Sequence, residues 1–107
     1  ELLKYGRHFR YRDTCKIIVG RNHSDNEYLR KLSTEDDLVC HMADFPGPLV
    51  LAPCGSESLI TAAASLCVRY SDAPSDAEAD VVCRRHNQSD ILKVKAASKD
   101  DPEFRII

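Results

Sequence analysis

At 107 residues, with 43% hydrophobic and 30% charged side chains, the chain can bury one modest core and is not disordered in composition. No apolar run approaches the ~18 residues that a membrane-spanning helix needs. A net charge of −2 argues against tight non-specific nucleic-acid binding, yet the charges are segregated. Residues 4–23 hold six basic side chains against Asp13 alone, and residues 32–80 hold nine acidic ones against Arg69 alone. The chain begins at Glu1 and its only methionine is Met42, so we expect a piece of a longer polypeptide.

In chain order, His8–Tyr11 and Lys16–Val19 read as two short strands, with Arg12-Asp13-Thr14 as the turn between them. The unbroken apolar run Ile17-Ile18-Val19 predicts a strand covered on both faces. Ser24 and Glu27 have capping-box spacing, which predicts a helix to about Leu32 with Tyr28, Leu29 and Leu32 inward. Leu38–Ala43 and Pro48–Ala52 are the next strands, the second closed by Pro53-Cys54-Gly55. The clearest helix follows: Ser56 caps it, Glu57 lies in its first turn, and Leu59, Ile60, Ala63, Leu66, Cys67 and Tyr70 recur at helical spacing. A polar loop then leads to a hairpin of Ala79–Arg84 and Ile91–Val94, connected by His86–Asp90. Phe104–Ile107 adds a short last strand or frays. The expected class is α+β: a single domain with a mixed, mostly antiparallel sheet and two main helices.

The five cysteines are an odd number, widely spaced and without a Cys-x-x-Cys pair, which points to reduced thiols rather than a disulfide framework. No Cys or His pair has zinc-finger spacing, so no metal site is expected. Cys54, the one loop cysteine, is the best candidate for a reactive thiol. The sequence offers no phosphate loop, no paired catalytic carboxylates and no serine elbow, so no catalytic residue is expected.

Several motifs follow one another in a fixed order. Gly20-Arg21-Asn22 precedes Asn26-x-x-Leu29, then come a strand ending in His41, Pro46-Gly47, and Ala62-Ala63-Ala64 leading to Tyr70-Ser71. In this order and spacing, over roughly residues 6–95, the chain resembles the NFACT-R RNA-binding domain. Val39-Cys40 replaces the usual aromatics before the histidine, and Pro48-Leu49 replaces a Ser-His pair. Both features match the variant at the C-terminus of PP-loop proteins similar to tRNA thiouridylases. The resemblance implies a non-catalytic RNA-binding module, with tRNA the expected RNA. ATP and magnesium chemistry would then belong to a separate N-terminal catalytic domain of a cytoplasmic, tRNA sulfurtransferase-like parent, the module's partner in the same chain.

The residues supply their own candidates. Arg21 suits phosphate as a bidentate fork beside a helix N-terminus; alternatively Gly20-Arg21-Asn22 is only a turn. Arg7, Arg10 and Arg12 form either a basic stripe or edge-strand protection. Tyr5 and Phe9 are further aromatics of this segment, and Tyr11 is the better one for stacking on a base. His41 is either at a site rim or hydrogen-bonded to its turn. With Asn22, Arg84 and Arg85, these give an expected RNA-binding set of Arg7, Arg10, Tyr11, Arg21, Asn22, His41, Arg84 and Arg85. The alternative is a docking or regulatory module whose acidic middle contacts other protein, without RNA.

Overall fold

The computed structural model describes residues 6–12, 15–53, 57–74, 76–97 and 104–106, with side chains at all but 57–58 and 104–106. The expected turn at Asp13-Thr14, the Ser56 cap, Tyr5 and the candidate thiol Cys54 lie outside the described residues. Strands β1 (Arg7–Tyr11), β2 (Cys15–Val19), β3 (Leu38–Met42), β4 (Val50–Ala52), β5 (Ala79–Arg85), β6 (Gln88–Val94) and β7 (Phe104–Ile106) form one sheet. Their spatial order is β6-β5-β3-β4-β2-β1-β7. Helix α1 (His23–Leu32) follows β2, and α2 (Glu57–Arg69) follows β4. The α+β expectation holds, and every registered pairing is antiparallel, so the sheet is simpler than mixed.

Strand alternation divides the apolar side chains between the two faces. Ile17, Val19, Leu38, Cys40, Val50, Val81 and Cys83 join Leu59, Ala63, Leu66 and Cys67 of α2 in the main core. Ile18, Val39, Leu49 and Leu51 surround Leu29 of α1 in a second, smaller cluster. That two-sided demand is why β2 reads as a continuous apolar run. The small residues Ala62, Ala63 and Ala64 are all buried, letting α2 lie close across β2 to β6.

Local structure departs from the sequence reading in three places. Asn22, not Ser24, caps α1: its extended backbone (φ −157°, ψ 179°) starts the helix at His23, and its side chain accepts from the Asp25 amide. Ser24 is already inside the first turn. Of the three residues expected to face inward, Leu29 is fully buried against the sheet, Tyr28 is half-buried and Leu32 is 41% exposed. The second hairpin closes through His86-Asn87 alone, both at positive φ (53° and 62°), so β6 begins at Gln88. That is the backbone of a two-residue primed turn, which Asn tolerates and His rarely adopts.

Ala63 is fully buried among these side chains, whereas Thr61 on the same helix is exposed. Ala63→Asp should therefore lower unfolding stability by about 3 kcal/mol or more, through an unpaired buried carboxylate. Thr61→Asp should stay within about 0.5 kcal/mol of the parent in the same urea titration.

Candidate nucleic-acid interface

The end of β2 is held by a glycine that nothing larger can replace without displacement. A Cβ at Gly20 would collide with Asn26 Oδ1. That oxygen accepts from the Leu49 amide at 3.0 Å, while the Gly20 amide donates to the Leu49 carbonyl at 3.0 Å. The strand end, the first turn of α1 and the lead into β4 are thereby tied at one point.

The next three residues build the helix entrance. Asn22 Oδ1 accepts from the Asp25 amide at 2.9 Å. The Asp25 carboxylate in turn accepts from the Arg21 amide at 3.0 Å and from Arg21 Nε at 2.9 Å. Asp25 is buried and Arg21 half-exposed, so the carboxylate holds the arginine stem and leaves part of its fork toward solvent. The Arg21 side-chain bond keeps Asp25 below the usual carboxylate range, against an opposing desolvation cost; the charges of Arg21 and Arg7 act in the same direction as the bond. A lowered native value means this contribution is present above the unfolded-state value near 4 and is lost as pH falls through the native one. The amides of His23 and Ser24, in the first turn, have no intrahelical acceptor, as at any helix start.

The opposite wall comes from the end of α2. Gly47 packs so closely that a Cβ there would lie 2.6 Å from Met42 Cγ and 2.8 Å from Ser71 Cβ. The Asp72 amide donates to the Pro46 carbonyl at 2.9 Å. This seats the half-buried Tyr70 against Phe9, ring centroids 6.1 Å apart. Arg7 lies 4.6 Å and Arg69 5.0 Å from the Tyr70 ring centroid, both within cation–π range. The two walls enclose a cleft of about 280 Å³, with Arg7, Arg21, His23 and Tyr70 on its sides and Gly20 and Gly47 in its lining.

Three of the sequence candidates, Arg7, Arg21 and Asn22, meet in this cleft. The others do not. Arg10 alternates to the sheet face opposite Arg7. Tyr11 is 6% exposed in the core, with the Arg12 guanidinium 5.0 Å from its ring centroid, so its ring is not open for stacking. His41 is exposed on the α1 side of the sheet, Nδ1 3.3 Å from the Met42 carbonyl oxygen. Arg84 and Arg85 lie near Ser33 and Thr34, beyond the C-terminal end of α1, about 15 Å along the helix from its start. There Arg85 Nε donates to the Asp36 carbonyl at 3.0 Å, and His86 Nδ1 lies 3.3 Å from Asp36 Oδ1. Tyr70, Arg69 and His23 were missed as site residues. Helical spacing marked Tyr70 as inward-facing, and only its place in the ordered motif set pointed to the cleft.

The motifs that meet here are those of a known domain. A family model described as the NFACT protein RNA binding domain matches residues 6–104. The chain belongs to this NFACT RNA-binding domain family. Among solved structures, the NFACT domain described here is similar to the C-terminal part of the fibronectin/fibrinogen-binding protein from Streptococcus suis, with a TM-score of 0.77 and 21% identity. That match covers 88% of this chain and 46% of the streptococcal one, and at this identity it speaks for the fold. No curated protein matches the sequence. None of the helices among the described residues is long and apolar enough to cross a membrane.

The Gly20–Asn26 contact can be tested by a double-mutant cycle. Asn26→Ala leaves the Leu49 amide unpaired and should cost about 1–3 kcal/mol in urea unfolding. Gly20→Ala alone should also destabilise, and the double variant should lose clearly less than the sum, because the collision is then gone.

Proposed function

We propose that the NFACT domain binds the phosphate backbone of RNA in the cleft at the start of α1. The observation that carries this reading is the convergence of Arg7, Arg21 and the α1 N-terminus on one open cleft beside Tyr70. Helix dipole and first-turn amides favour an anion there, and each arginine adds donors in a fixed fork. Tyr70, with two guanidinium groups over its ring, orients these cations at the cleft rather than offering a bare face to a base. Arg84 and Arg85, beyond the far end of α1, form a second and weaker point of contact for a backbone running along the helix.

The RNA we propose is tRNA, and the role is delivery of that tRNA to a sulfur-transferring, ATP- and magnesium-dependent N-terminal domain of the same cytoplasmic protein. The support is the resemblance to the PP-loop-associated variant, carried by Val39-Cys40 and Pro48-Leu49. The domain itself contributes binding and orientation rather than chemistry.

With about three phosphates engaged, affinity for unmodified tRNA should be micromolar or weaker and fall with salt at a log–log slope between about −2 and −3. Arg21→Ala and Arg7→Ala should each reduce that slope by about one while the domain stays folded. Lys93→Ala, on the β6 edge, should leave it unchanged. No binding to tRNA at low salt would overturn the proposal and favour a protein-docking role. Equal affinity for an unstructured RNA of the same length would reject tRNA delivery while retaining RNA binding.

A further inference from the structure

Cys40 of β3 and Cys83 of β5 are directly opposed in the antiparallel register, and both face α2. Their sulfurs are 3.4 Å apart, with the Cys40 thiol donating to Cys83. Directly opposed residues have Cα atoms about 4.5–5.5 Å apart, inside the range of about 4.4–6.8 Å that a disulfide spans.

Both thiols are buried, Cys40 fully and Cys83 at 5% exposure, but only Cys83 borders a cleft, of about 460 Å³, bounded by Leu38, Ile60, Arg85, His86 and Leu92. The bond from Cys40 draws the Cys83 thiol downward, against burial and the Asp90 carboxylate, and pushes Cys40 strongly up. Cys67, the third core thiol, is directed elsewhere: it donates to the Pro48 carbonyl, and burial pushes it up to about 12.

We propose that Cys83 is an oxidant-reactive thiol resolved by Cys40, with hydroperoxides as the co-reactant. The Cys83 thiolate attacks one oxygen of hydrogen peroxide, the O–O bond breaks, and the departing hydroxide takes up the thiol proton as water. The resulting sulfenic acid is attacked by the Cys40 sulfur; the S–O bond breaks and a second water leaves with the Cys40 proton. Two thiols are oxidised to one disulfide, and one peroxide is reduced to two waters. Neither thiol borders the cleft at the start of α1, whereas Arg85, part of the second RNA contact proposed above, lines the cleft that Cys83 borders.

The test treats the folded, fully reduced protein with a small excess of hydrogen peroxide and maps linkages by peptide mass under non-reducing conditions. A Cys40–Cys83 linkage should form before any linkage to Cys15, Cys54 or Cys67. Cys40→Ala removes the resolving sulfur together with the bond that draws Cys83 downward. In that variant a dimedone adduct should still appear at the cleft-lining Cys83 before any at Cys67, and more slowly than the disulfide forms in the parent. First oxidation at another cysteine, or a Cys40–Cys83 linkage that appears only after denaturation, would overturn the proposal. If Cys40→Ala fails to fold, the order of linkages in the parent protein decides alone.

Discussion

The cleft depends on one close approach. Because Gly20 has no side chain, Asn26 Oδ1 can occupy the space of a Cβ and accept the Leu49 amide. This single carboxamide joins the end of β2, the first turn of α1 and the entry to β4. With that junction in place, Asn22 falls in the extended geometry of an N-cap and Arg21 lies beside Asp25. Register does the rest: Arg7 pairs with Val19, so the first residue of β1 lies next to the last residue before Gly20.

The second wall is fixed by different forces. Packing of the alanine-rich face of α2 on the sheet sets where the helix ends, and the Pro46–Asp72 bond ties that end to the β3–β4 loop. Tyr70 is thus held by burial on one side and presented to two arginines on the other. An arginine against an aromatic face keeps its planar edge available for phosphate, so the ring orients the cation rather than consuming it.

The fold was largely legible in the sequence, since its strongest signals were periodic. The α2 pattern and the apolar run at Ile17 correctly placed the helix and a strand covered on both faces. The start of α1 was not legible, because Ser24–Glu27 and Asn22–Asp25 have the same three-residue spacing. The choice between them is made where Gly20 and Asn26 meet Leu49, which is 23 residues away from Asn26 in sequence. Period-2 alternation puts Arg7 and Arg10 on opposite faces of the sheet and buries Tyr11 with Phe9, so those two arginines do not share one surface. Arg84 and Arg85 lay beyond local reasoning, since only the β3–β5 pairing and the length of α1 set them apart from Arg21. The opposition of Cys40 and Cys83 comes from that same pairing, 43 residues apart.

Family membership establishes an RNA-binding domain, and the geometry offers one cleft where its arginines and a helix start converge. Amide chemical-shift mapping during a titration with short tRNA-derived RNA at low salt tests that assignment most directly. Shifts concentrated at Gly20–Asn26, Gly47 and Tyr70–Asp72 are the predicted result. Shifts confined to the acidic segment between Thr34 and Asp44, with the cleft silent, would contradict it.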